Sequence, residues 1–409
     1  MPTEPLSSPQ DRSTAGPWHA VTASFLGWTI DAFDYSTVAF LVGTLASDLH
    51  VTKADIIWTL TATLAMRPVG ALLFGVVADR YGRRFTLMAN VIYFSVVELL
   101  CGFSTNFTMF LILRALFGIG MGGEWGVGAS LAMETVPRRW RGFFSGVLQA
   151  GYPVGYLLAA VSLRFILPAW GWRAMFWAGG APALLAIYVR MRVPEPEAWV
   201  RHRVAKTGAI LRTISKDWKH FLFLVWMMTL LMFLSHGTQD LYPDFLTSAH
   251  GFSAAAVSTT AMIYNVGAIV GSVLFGIFSE RFGRRRGMTV AMAVSLASIP
   301  LWTFGGTAGK LTLGAFLMQV GVQGTWGIIP AHLNELAPSE ARSLVPGLAY
   351  HLGILVASPT NTLEYLLRDR FGYASALAGF EFCVIVLSMI AVNLSRERRG
   401  RDFLAKDAG

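Results

Sequence analysis

Apolar runs of about 20 residues recur along the whole chain and are separated by short polar segments. A helix of about that length crosses the hydrocarbon core of a bilayer. The pattern predicts an all-α membrane protein with twelve transmembrane helices, near residues 20–43, 56–77, 85–103, 108–132, 143–163, 174–190, 221–242, 255–278, 288–305, 311–331, 344–365 and 374–394. Composition agrees, because 54% of the 409 residues are hydrophobic and 14% are charged, too few to cover a soluble surface.

The net charge of +9 is explained by topology rather than by a nucleic-acid partner. If the N-terminus is cytoplasmic, twelve spans place both termini inside, and most of the 33 Lys and Arg then lie in cytoplasmic segments. The first 17 residues are polar and contain no signal peptide. We expect a multi-pass, monomeric protein of the cytoplasmic (inner) membrane, in contact with the lipid bilayer and with no nucleic acid.

An internal repeat divides the chain into two halves. The segment GVVADRYGRR, which starts at Gly75, reappears as GIFSERFGRR at Gly276, 201 residues later. Glu134 and Glu335 open a second shared motif at the same interval. The predicted domains are a cytoplasmic tail (1–17), a six-helix half (18–190), a polar cytoplasmic linker (191–220), a second six-helix half (221–395) and a cytoplasmic tail (396–409).

The loop motif at Gly75 resembles the G-x-x-x-D-R-x-G-R-R signature of the major facilitator superfamily. The sequence from Arg114 to Gly122 resembles the R-x-x-x-G-x-G-x-G motif of its fourth helix. The resemblance implies the major facilitator fold, with two six-helix halves related by a pseudo-two-fold axis.

The repeated loops carry charges that can bridge to neighbouring helix termini. If such a bridge forms in only one conformation, it acts as a latch between states. Topogenic charge alone explains the arginines but neither Asp79 nor the repeated glycines. The latch candidates are Asp79, Arg80, Gly82, Arg83 and Arg84 in the first half, and Glu280, Arg281 and Gly283 in the second.

A nucleotide-binding reading of the glycines is rejected. The run from Gly118 satisfies G-x-G-x-x-G, but no strand precedes it and it lies within a span. Gly118, Gly122 and Gly126 are interpreted instead as a close-packing face for another helix. Cys101 and Cys383 lie in apolar spans and indicate neither a disulfide nor a metal site. We expect no cofactor, no metal and no catalytic constellation, and hence no enzyme.

Ionisable residues inside spans are costly and are therefore candidates for function. By depth, Asp31 matches Arg67 and Asp34 matches Arg114, which predicts two ion pairs with Arg114 as one partner. Asp31 and Asp34 also share a helix face, and two adjacent carboxylates disfavour double ionisation, so protonation becomes accessible near neutral pH. Both are candidates for proton coupling, as is Glu124; structural ion pairing and inter-helix bridging are the alternatives. Glu98 and Glu381 are interpreted as structural.

Helix 7 carries a polar stripe typical of a helix that lines a wet cavity. His236 and Asp240 lie four residues apart on one face, beside Gln239. The stretch around them resembles the N-x-x-[ST]-H-x-[ST]-Q-D-x-x-x-T signature of fungal lactate and pyruvate permeases, which belong with bacterial sialate transporters to the sialate:proton symporter family. Met232 and Asp244 depart from that signature, and the missing Asn leaves the exact substrate open.

The resemblance implies that Arg67 receives a substrate carboxylate and that His236 and Asp240 serve substrate binding and proton coupling. Arg offers a permanent bidentate partner, and His titrates near physiological pH. The expected substrate site comprises Arg67, His236, Gln239, Tyr152, Asn361 and His351.

The leading hypothesis is a proton-coupled symporter of a small organic monocarboxylate such as lactate or pyruvate. Sialate is the nearest rival substrate, although the short linker leaves no room for the extra helix pair typical of bacterial sialate carriers. Another organic-acid or metabolite carrier of the same fold is also kept. The alternative from a different class is a sensor that binds solute without transporting it.

Overall fold

The computed structural model describes residues 16–180, 183–202 and 207–405, and within these ranges the regular structure is helical. Two 3-10 turns, Arg138–Trp140 and Ser339–Ala341, precede α5 and α15. The α-helices are α1 (Gly16–Asp48), α2 (Lys53–Tyr81), α3 (Arg83–Cys101), α4 (Phe107–Thr135), α5 (Arg141–Gln149), α6 (Gly151–Ala178), α7 (Ala183–Arg192), α8 (Glu197–His202), α9 (Thr207–Lys216), α10 (Trp218–Gln239), α11 (Tyr242–His250), α12 (Ala254–Phe282), α13 (Arg284–Phe304), α14 (Ala308–Leu336), α15 (Leu344–Ala357), α16 (Thr360–Phe371) and α17 (Tyr373–Leu394).

Parts of the predicted domains fall outside the described residues. These are positions 1–15 of the first tail, 181–182 of the first six-helix half, 203–206 of the linker and 406–409 of the second tail. The described part of the linker includes two short helices, α8 and α9.

Every predicted span coincides with helix, but several predicted single helices are broken. The seventh was expected to end near 242; α10 instead ends at Gln239, and α11 continues to His250. The eleventh is divided into α15 and α16 at Ser358 and Pro359, since proline cannot continue a helix's hydrogen-bond ladder.

Eight segments of the described residues have the length and hydropathy of a membrane span. They are Lys53–Tyr81, Arg83–Cys101, Phe107–Thr135, Arg138–Ala178, Trp218–His250, Ala255–Phe282, Arg284–Phe304 and Tyr373–Leu394. The other predicted spans are composed of shorter helices, or, like α1 and α14, are more polar.

The interval of 201 residues recurs in the helix bounds. It separates α4 (Phe107–Thr135) from α14 (Ala308–Leu336), and their N-cap side chains Asn106 and Thr307 both accept a backbone hydrogen bond. It also separates Gly82 from Gly283, where φ is 119° and 99°. L side chains rarely adopt such angles, so both loops require glycine.

The predicted glycine face is confirmed. A Cβ on Gly118 or Gly122 would overlap backbone carbonyl oxygens of α2, at Thr63 and Arg67 respectively, and one on Gly126 would lie 2.8 Å from the Gly347 Cα of α15. α4 therefore packs directly on the backbone of α2 and on the second half. This close approach fixes the position of Arg67.

The helix bundle has two distinct ends. The basic end contains the loops at Gly82 and Gly283 and the two 3-10 turns, with their clustered arginines. The opposite end contains the C-terminal ends of α1 and α10.

Candidate functional site

A cavity lies between the two halves. Its walls come from α1, α2, α5, α6, α10, α14 and α15. The lining residues are Trp28, Tyr35, Leu64, Arg67, Gln149, Tyr152, Met232, Ser235, His236, Gln239, Asp240, Gln323, Trp326, Tyr350 and Ile354. Five of the predicted site residues therefore meet here: Arg67, Tyr152, His236, Gln239 and Asp240.

Arg67 presents a guanidinium group to this cavity. The residue is 4% exposed, and within the described ranges it forms no salt bridge; its Nε and Nη2 atoms have no hydrogen-bond partner. The guanidinium carbon lies 6.0 Å from the ring centroid of Tyr350. The ion pair with Asp31 predicted from depth is absent. A buried cation without a counter-ion favours binding of an anion.

The polar stripe of α10 forms the facing wall. His236 Nδ1 lies 3.1 Å from Asp240 Oδ2, and Asn361 Nδ2 donates to the same oxygen at 3.1 Å. Gln239 Nε2 donates to Gln319 Oε1 at 3.1 Å, which fixes its amide. The side chains of His236 and Asp240 are each 36% exposed, so solvent reaches the cavity from the opposite end.

Aromatic side chains close the cavity towards the basic end. Tyr350 lies 5.7 Å from Trp326 and 6.1 Å from Trp28 between ring centroids, and Trp28 lies 5.4 Å from Tyr152. Behind them Trp125 stacks on Tyr350 at 4.2 Å. We call these five residues the aromatic floor. It gives the site an aromatic, apolar surface beside the Arg67 cation.

The carboxyls predicted for proton coupling on the first half lie behind the cavity wall. Asp31 and Asp34 are fully buried, and in the described part of the chain none of their carboxyl oxygens has a hydrogen-bond partner. The pairing of Asp34 with Arg114 is corrected: Arg114 Nη1 donates to Glu98 Oε2 at 2.7 Å. Glu98, interpreted as structural, is thus the ion-pair partner of Arg114.

Glu124 and His351 are also buried away from the cavity surface. Glu124 is 1% exposed and its Oε1 has no hydrogen-bond partner among the described residues; the glycines at positions 27 and 128 leave room for its carboxyl group. His351 is fully buried, with its ring 4.9 Å from that of Tyr350. In this structure His351 therefore does not line the cavity, and its substrate contact stays a prediction. Asn361 acts on the site through Asp240 rather than as a wall residue.

At the basic end, the predicted latch acids join the two halves. Asp79 Oδ1 and Oδ2 accept hydrogen bonds from the backbone N–H groups of Ser343 and Leu344, each at 3.0 Å, at the start of α15. In the reciprocal contact, Glu280 accepts from the N–H of Gly142 at the start of α5. The motif repeat therefore corresponds to a repeated contact between halves.

Each latch acid is supported by an arginine and a second acid. Arg83 contacts Asp79 and Glu134, both at 3.0 Å. Arg284 contacts Glu280 at 3.1 Å and Glu335 at 3.0 Å. Two further bridges cross between halves, from Arg342 to Glu134 at 3.3 Å and from Arg141 to Glu335 at 3.1 Å.

The other predicted latch residues act locally. Arg80 donates to Thr207 in the linker at 2.8 Å, and the Arg84 N–H donates to Glu195. The Arg281 guanidinium lies over the ring of Phe282. Burial raises the pKa of Glu195, although the N–H of Arg83 and the Arg83 charge oppose this shift.

Sequence reasoning missed a C-terminal contact with both halves. Phe403 is 3% exposed and lies between Arg141 and Arg342, whose guanidinium carbons are 3.8 and 4.2 Å from its ring centroid. Asp402 pairs with Arg138. No motif signals this segment. Trp28 and Gln323 were also missed, although a search for polar and indole side chains inside spans would have flagged them.

Comparison with known proteins identifies relatives over nearly the whole chain. The sequence profile of the Major Facilitator Superfamily matches residues 24–349 and 225–402. A carboxylic acid transporter protein homolog of Saccharomyces cerevisiae is 29% identical, over 94% of this chain and 69% of that protein. The sialic acid transporter NanX of Escherichia coli is 28% identical (88% and 89%), and the niacin transporter NiaP of Acinetobacter baylyi is 24% identical (92% and 93%).

Solved structures share the fold. The proton:xylose symporter XylE superposes with a TM-score of 0.79, over 96% of this chain and 98% of that one. The sequence identity is 17%, so this likeness concerns the architecture alone.

Proposed function

The chain belongs to the major facilitator superfamily, and is thus a multi-pass membrane transporter rather than an enzyme; we propose that it is a proton-coupled symporter of a small organic monocarboxylate such as lactate or pyruvate. The observation that carries the proposal is the unpaired Arg67 guanidinium in a cavity between the halves. Relatives named for carboxylic acid, sialic acid and niacin support an acidic substrate.

In this proposal Arg67 binds the substrate carboxylate through its guanidinium group, in a bidentate arrangement. Gln239, held by Gln319, donates to or accepts from the substrate's other oxygen. Tyr152 and Tyr350 supply the apolar surface for its carbon chain.

A proton would travel with the anion, so that the loaded carrier gains no net charge. Asp31 and Asp34 support this step, because a buried carboxylate without a hydrogen-bond donor is more stable when protonated. The His236–Asp240 pair adds a histidine that faces the cavity, and an imidazole is the side chain suited to exchanging a proton near physiological pH. Glu124 is the further candidate on the first half.

Alternating access then follows from the latch. The contacts of Asp79 and Glu280 keep the basic end closed while the cavity is open to the opposite end. With the basic end and both termini in the cytoplasm, the conformation is outward-facing. We assign the protein to the inner membrane and regard the single chain as the transporting unit.

The test is uptake into proteoliposomes of labelled lactate, pyruvate, nicotinate and sialate, with and without an inward proton gradient. We expect gradient-stimulated uptake of a monocarboxylate that Arg67→Lys abolishes while the protein remains monodisperse. Arg164→Lys, an exposed residue of α6, is the matched control and should transport normally. Uptake by the Arg67→Lys variant at the control rate would remove Arg67 from the site.

A second candidate is a carrier of a larger ring-bearing acid. The aromatic floor favours it, because a planar or ring-bearing substrate can stack on Tyr350 or Trp326 with its carboxylate on Arg67. Preferential uptake of nicotinate or sialate over lactate in the same assay selects this candidate. Binding of a substrate without uptake would instead indicate a sensor.

A further inference from the structure

Two glutamates of the second half lie on the side of α10 that faces away from the cavity. Glu364 belongs to α16 and Glu381 to α17, and they are 1% and 0% exposed. Within the described residues, none of their four carboxyl oxygens has a hydrogen-bond partner. Neither residue lines the cavity or takes part in the latch.

The two carboxyl groups converge on one point of α10. A Cβ on Gly237 would overlap Glu381 Oε1 and would lie 3.0 Å from Glu364 Oε1. The two oxygens lie 2.0 and 3.0 Å from that one position, so they are at most about 5 Å apart. Glycine at position 237 leaves room for both carboxyl groups on the face of α10 that points away from the cavity. The His236–Asp240 pair lies on the cavity side of the same helix.

No cation in the described part of the chain compensates this pair. His236 of α10 is bonded to Asp240. The charged group that interacts electrostatically with Glu364 is Asp240, and the one that interacts with Glu381 is Glu364 itself. Both of these electrostatic interactions are between acids. Arg368 of α16 points instead towards Asp244 of α11, at 3.5 Å.

The remaining neighbours are also engaged elsewhere. Tyr373 of α17 donates to Asp244 at 2.7 Å. The arginines of α13, which also packs on α17, lie at the basic end, where Arg284 and Arg285 bond Glu335 and Glu397.

Removing one carboxylate from water costs several kcal/mol, and a second negative charge beside it adds repulsion. Two buried carboxylates without a cation or a donor are therefore not both ionised. We propose that Glu364 and Glu381 form a proton-binding site behind α10, in which the two carboxyl groups together hold a proton in this conformation. A proton donated by one carboxyl group to the other satisfies both oxygens at once.

The site lies beside both helix breaks of the second half. α10 ends two residues beyond Gly237, and α16 begins four residues before Glu364, after the break at Ser358 and Pro359. Asn361 of α16 also holds Asp240. Movement of α11 and α16 would admit water to the pair and allow the proton to leave. Proton release is thereby linked to the side of the cavity that faces the end opposite the basic end. This link rests on the proposed symport; proton binding itself does not.

The direct test is infrared difference spectroscopy of the purified full-length protein during a pH titration. The carbonyl stretch of a protonated carboxylic acid should persist at neutral pH in the wild type, and Glu381→Gln and Glu364→Gln should each remove or shift part of it. Glu340→Gln, an exposed glutamate of the same half, is the control. Spectra unchanged in both buried-site variants would overturn the proposal.

Thermal unfolding gives an independent readout that needs neither substrate nor gradient. A carboxyl protonated in the folded protein and ionised after unfolding stabilises the fold at low pH, and this contribution is lost as pH rises. Between about pH 6 and about pH 8 the wild-type Tm should fall, and the Gln variants, which mimic the protonated acid, should show a smaller fall than the wild type. Equal slopes in wild type and both variants would contradict proton binding.

The same unfolding assay in sodium chloride and in choline chloride at equal ionic strength separates the proton from a metal cation. Stabilisation by sodium that both Gln variants lose would overturn the proton assignment in favour of a sodium site. Failure of the symport proposal is recognised separately. If the proton gradient does not stimulate uptake but the expected infrared change is observed, the proton site stands and is not coupled to transport.

Discussion

Replacement of Asp79 by asparagine should open the basic end of the protein. In the structure both carboxylate oxygens of Asp79 are used, each accepting a backbone N–H at the start of α15 at 3.0 Å. These donors belong to the other half, so the two bonds exist only while the basic end is closed. Their position at a helix N-terminus adds favourable interaction with the helix dipole.

The size of the effect follows from the bonds removed. A hydrogen bond to a charged group contributes about 1.5–3 kcal/mol. Asparagine retains one acceptor oxygen and places an NH₂ donor against the second N–H group, so at least one bond is lost. A cost of about 2 kcal/mol to the closed state shifts the ratio of open to closed roughly 30-fold. An open population of about 1% would become roughly a quarter.

Pulsed electron spin resonance measures this directly. Arg139 and Glu340 are exposed, lie in the two 3-10 turns of the basic end, and belong to different halves. Spin labels at cysteines placed there, after replacement of Cys101 and Cys383, report the separation of the halves. The wild type should give mainly the closed distance, and Asp79→Asn should add a longer one.

Two further variants decide the interpretation. Glu280→Gln removes the reciprocal contact with Gly142 and should shift the distances in the same direction. Asp55→Asn makes the same chemical change at the other end of α2, in an exposed capping box, and should leave them unchanged. A distance distribution for Asp79→Asn that matches the Asp55→Asn control would refute the assignment of Asp79 as a latch.

Three other substitutions test the frame around the site. Glu98→Gln leaves the buried Arg114 cation unpaired and should destabilise the protein by about 3–5 kcal/mol, seen as a lower Tm in detergent; an unchanged Tm would contradict the pairing. Gly122→Ala forces a methyl group into the α2 backbone and should cost about 1–3 kcal/mol, whereas Gly379→Ala, with open space around it, should cost little; equal Tm values would contradict the close packing. Phe403→Ala should release the C-terminal segment, seen as faster proteolysis beyond Leu394 than in wild type; equal rates would refute its docking.

Much of the frame was predictable because it depends on local sequence properties. The hydropathy of each segment is enough to predict that it spans the membrane. The internal repeat is enough to predict that Asp79 and Glu280 are equivalent residues. The partner of Arg114 was not predictable from depth. Depth along a helix says nothing of direction around it, and Glu98 rather than Asp34 lies on the facing side. The burial of His351 behind Tyr350 has the same cause.

Long-range features lay further beyond sequence reasoning. The breaks between α10 and α11 and between α15 and α16 depend on packing as well as on Pro359. The convergence of Glu364 and Glu381 on Gly237 joins three helices, and no spacing along the chain indicates it. The contact of Phe403 with both halves likewise exists only in the assembled bundle.

The polar wall of the cavity has a consequence for how such a carrier diversifies. Its α10 contribution, Met232, Ser235, His236, Gln239 and Asp240, lies within positions 232–240 of a single helix. The latch and the glycine face of α4 lie elsewhere, so in the proposed symporter substitutions at these five positions should alter selectivity without loss of the moving frame. Substitutions in this short segment can therefore change the transported substrate, in evolution or in the laboratory. A mutant library confined to these positions samples much of the accessible variation in selectivity.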